Sequence, residues 1–250
     1  MVLTKSALAA PYGTTAEVSF YDPSSTTTFD YDYGEQAFSA IALDTANFSA
    51  AAEAQLGQSN LSPILKARAQ LFDQSVDSYS AAYAISLEQY NYTGTSDSTI
   101  TYDFTVTGDV YSPAGAAFDS LIIGNVEFFV APTLESYIDD IDALFPYITE
   151  TLGSDYVQLS GNVTGGLANG SVSFSVHPGD TFFMLADLGA IAQSFSANAN
   201  AFSTFAGSFV DASQLQALSL SVPEPSTLCL VLLASFSIAG SYRGHRKRKQ

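Results

Sequence analysis

An acidic stretch near the start of the chain offers the best spacing of carboxylates for a metal ion. Asp30, Asp32 and Glu35 lie at positions i, i+2 and i+5 around Gly34. Calcium takes several oxygen ligands, and proteins often supply them from closely spaced carboxylates in one loop. The spacing makes these three residues a weak calcium candidate. The full EF-hand pattern is absent, an acidic turn without an ion is the alternative, and no other cofactor is expected.

The sequence does not indicate a catalytic site. His177 is the only His before the C-terminal tail, and it lies in a His-Pro-Gly-Asp stretch of the kind that forms turns. The Gly-x-Ser-x-Gly motif of many hydrolases is absent, and no set of His and Cys residues suits zinc. We therefore expect a protein that is not an enzyme; an enzyme is the alternative, and it would show a pocket with convergent carboxylates.

The most informative residues form three successive blocks within residues 222–250. The first block is Val222-Pro223-Glu224-Pro225, whose prolines fix φ, lack amide donors and keep their neighbours extended. The second block, residues 227–242, carries no charge. The third block is a basic cluster of Arg243, Arg246, Lys247, Arg248 and Lys249. This order predicts an exposed motif, then a hydrophobic helix, then a positively charged stop.

The apolar block predicts a C-terminal hydrophobic helix that enters the inner membrane. As a helix it would span about 24 Å, whereas the hydrocarbon core of a bilayer is about 30 Å thick. The length therefore favours a transient or processed anchor over a lasting one. Because Lys and Arg mark the end of a membrane segment that stays in the cytoplasm, the body is expected on the outer side.

The three blocks, in this order, resemble the PEP-CTERM sorting signal of exported bacterial proteins. The resemblance covers Val222–Gln250 only, and Cys229 within the apolar block is a less usual feature. It implies that an exosortase-type enzyme cleaves the chain near Pro223-Glu224-Pro225. It also implies that the protein ends at the cell surface or in extracellular polymer such as a biofilm matrix. A single-pass membrane anchor without processing is the alternative.

The body before the tail is strongly acidic. Its three Lys and Arg residues stand against 24 Asp and Glu residues, which gives a net charge of about −21. Such a charge excludes nucleic acid as a partner, because the phosphates would be repelled. The single Cys lies in the tail, so the body is expected to fold without a disulfide.

Residues 1–10 are expected to be the remnant of a signal-peptide region. Ala7-Leu8-Ala9 has the small-x-small form of a cleavage site. The apolar stretch that a signal peptide requires does not precede it. The expectation is that translation starts upstream of Met1, and a cytosolic protein with a chance tail is the alternative.

The elements that must position these residues are mostly strands. Residues 99–108 show the clearest alternation, with Ile100, Tyr102, Phe104 and Val106 on one face. Residues 76–92 also alternate, and the side that holds most of the aromatic residues is expected to face inward. That inward side is Tyr79, Ala81, Tyr83, Ile85, Leu87 and Gln89, and the outward side is Ser78, Ser80, Ala82, Ala84, Ser86 and Glu88.

Turn signals recur along residues 16–221 and predict about ten strands. The fold is therefore expected to be all-β, a β-sandwich of jelly-roll type. Apolar residues at helical spacing from Leu134 to Leu144 and on to Phe145, with Asp139, Asp140 and Asp142 facing away, predict one short amphipathic helix. The stretch Phe209–Ser213 also resembles the strand that precedes PEP-CTERM tails, which bears on the fold alone.

Aromatic residues give the body an alternative function. A jelly-roll can bind sugars through exposed Tyr rings, and Tyr31, Tyr33, Tyr90 and Tyr92 are the candidates for contacts with an extracellular polysaccharide. A carbohydrate-binding module of this kind predicts exposed coplanar Tyr residues on one sheet face. Packing of the same residues in the core or rim is the competing interpretation.

Overall fold

The structure, a computed structural model, describes residues 12–21, 28–57, 61–72, 78–114, 119–134, 141–193 and 196–218. The chain divides into two units after Ser219, and only the first contains described residues. The predicted hydrophobic helix, the rest of residues 222–250 and residues 1–10 therefore lie outside the described part. Within the described ranges, no helix is long and apolar enough to cross a membrane.

Strands account for nearly all of the described secondary structure, which confirms the predicted all-β class. They are β1 Gly13–Tyr21, β2 Thr28–Gly34, β3 Phe38–Asp44, β4 Phe48–Gln55, β5 Ile64–Leu71, β6 Tyr79–Tyr92, β7 Ser98–Tyr111, β8 Leu121–Val130, β9 Glu150–Ser160, β10 Val163–Val176, β11 Thr181–Gln193, β12 Asn198–Phe209 and β13 Leu215–Ala217. The Ala-rich segment of β4 is a strand despite the helical propensity of Ala, because its neighbours β3 and β5 pair with it.

The strands form two antiparallel sheets. Sheet A has the order β2-β1-β6-β11-β8-β9, and β13 also pairs with β6. Sheet B has the order β10-β7-β12-β5-β4-β3. From β5 onward the chain changes sheet at every connection except β8–β9, so strands that are neighbours in sequence are mostly separated in the fold.

A single hydrophobic core lies between the two sheets, which makes the body sandwich-like. Ile100, Tyr102, Phe104 and Val106 of β7 all face it and are at most 5 % exposed, as their alternation predicts. Aromatic rings join the layers: Phe20 of β1 stacks on Phe48 of β4 with ring centroids 4.4 Å apart.

The prediction for the two faces of β6 was wrong. The face that lies in the core between the sheets is the one with Ala82, Ala84 and Tyr90, and Glu88 on this face is fully buried. Tyr79 and Tyr83 lie on the opposite, outer face. Alternation separates the two faces of a strand but does not identify which one meets the second sheet. Here the small Ala side chains pack against further Ala residues of β4 and β5, which lets the sheets approach closely.

A second, smaller apolar cluster covers one end of the outer face of sheet A. Leu87, Phe129, Phe183 and Leu185 of the sheet pack there against Ala131, Leu134 and Leu144 from the β8–β9 connection. Sheet A is therefore buried on both faces at this end, which explains the apolar run Phe182–Ala186 of β11.

The predicted amphipathic helix falls in the same β8–β9 connection. Residues 135–140 lie outside the described residues, and the described helical part is one turn, Ile141–Leu144, followed by a 3₁₀ turn at Phe145–Tyr147. Leu134 and Leu144 are buried as their spacing predicts, but Phe145 is 56 % exposed. Pro146 at the start of the 3₁₀ turn ends the helical spacing that would have placed Phe145 inward.

At each edge of the sandwich, an aspartate of sheet A accepts a hydrogen bond from a backbone N–H in the edge strand of sheet B. At one edge, Asp32 of β2 accepts a hydrogen bond from the backbone N–H of Ala40 in β3 (3.0 Å). At the other, Asp155 of β9 accepts one from the backbone N–H of Ser171 in β10 (2.9 Å). Because β3 and β10 are the two edge strands of sheet B, each carboxylate occupies a donor that could otherwise pair with another chain.

Removal of both edge aspartates should therefore promote aggregation. We expect Asp32→Ala with Asp155→Ala to lose about 1–2 kcal/mol of unfolding free energy and to scatter light at a lower temperature than wild type. The matched control is Asp97→Ala with Asp119→Ala, which removes the same charge from two exposed aspartates. Equal aggregation of the two double variants would show that charge alone, and not the edge hydrogen bonds, protects the sheets.

Candidate functional site

The residues of the weak calcium candidate lie on and just after the edge strand β2. Both oxygens of Asp32 accept hydrogen bonds, from the Gln36 side chain (3.3 Å) and from the Ala40 backbone (3.0 Å). Asp30 accepts a bond from the N–H of Tyr31 (3.0 Å). Within the described ranges, no group of three or more His, Cys, Asp or Glu side chains could hold a metal ion. The structure thus gives Asp32 a role at the sheet edge and does not assemble the trio with Glu35 into a metal site.

His177 lies in the turn that its sequence context predicts. Its backbone N–H donates to Oδ2 of Asp180 (2.7 Å), and the N–H of Asp180 donates to the carbonyl of His177 (3.0 Å). The ring nitrogen Nδ1 is 3.3 Å from the same carboxylate, and both side chains are largely exposed. These bonds close the β10–β11 turn.

The aromatic candidates divide into two groups. Tyr90 and Tyr92 lie in the core with at most 1 % of their surfaces exposed, so the suggestion that they contact a polysaccharide was wrong. Tyr31 and Tyr33 lie on the outer face of sheet A and are 49 and 45 % exposed. With Phe29, 51 % exposed, they fill three successive outward positions of β2.

The rings on β2 form a tilted row. The centroids of Phe29 and Tyr31 are 5.3 Å apart with planes at 50°, and those of Tyr31 and Tyr33 are 5.0 Å apart at 38°. The coplanar arrangement that a carbohydrate-binding module would show is therefore not found for these rings. A right-handed strand twist rotates each outward position relative to the last, so neighbouring rings on one strand are not held in one plane.

Strands β1 and β6 extend this aromatic surface across the sheet. Glu17 of β1 is paired with Tyr31 on one side and with Tyr83 of β6 on the other. At the far end Tyr21 and Tyr79 stack with centroids 5.5 Å apart. We call these side chains the aromatic stripe; its members are Tyr21, Phe29, Tyr31, Tyr33, Tyr79 and Tyr83, with Glu17 among them.

The most unusual polar group in the body is Glu88, which the sequence placed on the outward side of β6. It has no exposed surface. The backbone N–H of Gly57 donates to Oε1 (2.5 Å), and the hydroxyl of Tyr90 lies 2.5 Å from Oε2. The Tyr90 hydroxyl is also 2.8 Å from the carbonyl oxygen of Leu61. Glu88 therefore ties the start of the β4–β5 connection to sheet A, and Tyr90 ties its later part.

The protonation state of Glu88 follows from this geometry. Tyr90 has one hydroxyl proton, which it can donate to Glu88 or to Leu61 but not to both. If Glu88 is protonated, its O–H donates to Tyr90 and Tyr90 donates to Leu61, so every group is satisfied. Burial raises the pKa of Glu88 to about 7, against the opposing effect of its bonds from Tyr90 and Gly57.

The Glu88 network serves the fold and has no access to a substrate. Leu61 has φ of 57°, a left-handed conformation that costs energy in a branched residue, and the bond from Tyr90 to its carbonyl helps to hold it. Beside it, the hydroxyl of Tyr102 and Oγ of Ser62 share a 2.7 Å hydrogen bond. The sequence carries no signal for this network, because its members are far apart along the chain.

An open cleft at the β9–β10 edge also collects polar groups. Its lining includes Asp103, Thr105, Asp155, Asn169 and Ser171. The hydroxyls of Thr105 and Ser171 donate to Asn169 (2.8 Å) and Asp103 (2.6 Å) respectively, and Asp155 accepts the edge bond described above. These side chains bond chiefly to one another across strands, which is the pattern of a polar sheet face.

The sorting motif Val222-Pro223-Glu224-Pro225 and the basic cluster lie outside the described residues, so the structure places neither of them. No protein-family model matches the chain, and a search of curated proteins gives no match. What the protein does must therefore follow from its own residues.

Proposed function

We propose that this is an exported bacterial protein of the cell surface or extracellular matrix, sorted through a PEP-CTERM-like signal at 222–250. The observation that carries the proposal is the order of the three blocks: Pro-Glu-Pro, a charge-free stretch and a basic cluster. One feature of the body supports it: the strong net negative charge, which keeps an exported domain soluble and repels other copies.

In the proposed sorting event each block has one role. The extended Pro223-Glu224-Pro225 segment is presented to an exosortase-type enzyme at the periplasmic face, because proline prevents helix there. Residues 227–242 occupy the inner membrane transiently. The cluster from Arg243 to Lys249 holds its end of the segment in the cytoplasm. The body in this proposal is a non-enzymatic β-sandwich of jelly-roll type, and the alternation of successive strands between the two sheets supports that type.

Replacement of the sorting motif tests this proposal. The full chain, expressed behind an export signal in a bacterium that has an exosortase, should leave the membrane fraction and appear at the surface or in the medium. The variant with Pro223, Glu224 and Pro225 all changed to Ala should stay in the membrane fraction, whereas Pro178→Ala, in a turn of the body, should behave as wild type. Retention of the unchanged chain in the membrane would instead identify residues 227–242 as a plain single-pass anchor.

A second candidate function for the body is carbohydrate binding in an extracellular polymer. The specific observation that favours it is the aromatic stripe, since exposed aromatic patches on a stable fold commonly mark interaction sites. This function is compatible with the first, because the tail concerns where the protein goes and the stripe concerns what it binds there.

A further inference from the structure

We infer that the aromatic stripe binds a single chain of a neutral polysaccharide, an inference that rests on the carbohydrate-binding candidate above. Six aromatic side chains share one sheet face, and five of them, Tyr21, Phe29, Tyr31, Tyr33 and Tyr79, are between 37 and 51 % exposed. None of the five belongs to the core between the sheets. The fold therefore does not require their aromatic surface for its core.

The shape of the aromatic stripe suits an elongated ligand. Between β2 and β6 lies β1, whose outward residues beside Glu17 are the short Thr15 and Ser19. Neighbouring strands are about 4.8 Å apart, so the backbones of Tyr31 and Tyr83 are separated by about 10 Å. Thr15 and Ser19 are only 4 and 9 % exposed, so the accessible elongated feature is the row of Phe29, Tyr31 and Tyr33 along β2.

The chemistry of the stripe matches a sugar. A pyranose ring has an apolar C–H face that can lie on an aromatic ring, and hydroxyls at its rim that need donors and acceptors. Tyr31, Tyr33 and Tyr83 carry both a ring and a hydroxyl. The carboxylate of Glu17, on the strand between Tyr31 and Tyr83, adds an acceptor for sugar hydroxyls.

The negative charge of the body favours a neutral ligand over an acidic one. The cations of the described residues are Lys66 and Arg68, both on β5 in sheet B, so the described part of the stripe holds no positive side chain. The body carries a net charge of about −21, which repels acidic polysaccharides. A second copy of this chain is disfavoured for the same reason, because two stripes face to face would bring Glu17 carboxylates together without a cation.

Ring orientation selects a free chain over a flat crystalline surface. The planes of Phe29, Tyr31 and Tyr33 turn by 50° and 38° from one ring to the next. A flat polymer surface would meet only one of these rings face-on. A single twisted chain can follow the rotation, so we expect binding to soluble polysaccharides and none to crystalline cellulose.

Affinity electrophoresis of the full chain tests the inference. The neutral probes are hydroxyethyl cellulose, a soluble β-1,3-glucan and a galactomannan, and the acidic probe is alginate. We expect retardation by at least one neutral probe and none by alginate. Tyr31→Ala with Tyr33→Ala should weaken that binding about tenfold or more. Tyr111→Ala, which removes a Tyr of 51 % exposure from β7 in sheet B, should bind as wild type.

The outcomes separate the site from the function. If the unchanged chain binds none of the neutral probes, the carbohydrate-binding function is overturned. If it binds but the double Tyr variant binds equally well, the function stands and the stripe is not its site. Equal binding of alginate would contradict the charge argument. A melting temperature within a few degrees of wild type shows that the double variant is folded, and Tyr31→Phe with Tyr33→Phe, which keep the rings, should retain most of the binding.

Discussion

The Glu88→Gln variant should be more stable than wild type at pH 8 and of similar stability at pH 5. Gln reproduces the protonated carboxyl: its oxygen can accept the bond from Gly57 and its NH₂ can donate to Tyr90, which leaves the Tyr90 proton for Leu61. Wild-type Glu88 satisfies all of these groups only while it is protonated. The substitution should therefore remove the destabilisation that ionised Glu88 causes in the folded wild type as the pH rises.

The sign and size of the stability difference between Glu88→Gln and wild type follow from the pKa of Glu88. The folded protein holds the proton until about pH 7, whereas the unfolded chain releases it near the ordinary value of 4.5. Between these values the folded state binds more protons, so a rise in pH destabilises it. The difference in unfolding free energy between Glu88→Gln and wild type should grow by about 2–3 kcal/mol from pH 5 to pH 8.

Urea unfolding at pH 5, 6, 7 and 8 measures this difference, at pH values above the isoelectric point of about 4.1. Glu150→Gln is the control, because it removes the same charge from an exposed side chain. A plot of its unfolding free energy against pH should run parallel to that of wild type. If the Glu88→Gln curve also runs parallel to wild type, Glu88 is ionised in the folded protein across this range and the proposed arrangement of protons is wrong.

Gly207→Ala should destabilise the protein by about 3 kcal/mol. A Cβ at this position would lie 2.8 Å from Cε1 of Tyr102 and closer still to its Cζ and hydroxyl. Tyr102 cannot move aside easily. It is fully buried, and its ring lies edge-on to Phe209 and Phe128 at 4.9 and 5.7 Å. The glycine thus provides the space in which a core aromatic lies over the neighbouring strand.

A double-mutant cycle separates this contact from the general effect of a glycine substitution. In a Tyr102→Ala background the ring is gone, so Gly207→Ala should cost at least about 1 kcal/mol less than in wild type. Ser208→Ala, an exposed change one residue along β12, should remain within about 0.5 kcal/mol of wild type. Additive effects of the two substitutions in the cycle would contradict the packing argument.

The fold class followed from local patterns, but the partners of each strand did not. Alternation located β7 and its core face correctly because Ile100, Tyr102, Phe104 and Val106 differ sharply from the polar residues between them. On β6 both faces mix small and aromatic residues, so the inward face depended on the Ala residues of β4 and β5, which are remote in sequence. No local pattern carries that information.

At the candidate sites too, local pattern identified some residues, while the burial of others depends on residues remote in sequence. Tyr31 and Tyr33 were recognised as exposed candidates, whereas Tyr90 and Tyr92, only a few residues from a turn, proved to belong to the core. Glu88 was expected on the surface because an isolated carboxylate usually is. Its burial depends on Gly57 and Leu61, which approach it only once β4, β5 and β6 are assembled.

The intact mass of the native protein, recovered from its own host, tests the central proposal most directly. We expect a polypeptide that ends near Val222–Pro225, cut at the motif and without the apolar block and the basic cluster. A mass that still includes Arg243–Gln250 would contradict it, because the tail would then be a lasting anchor and not a sorting signal.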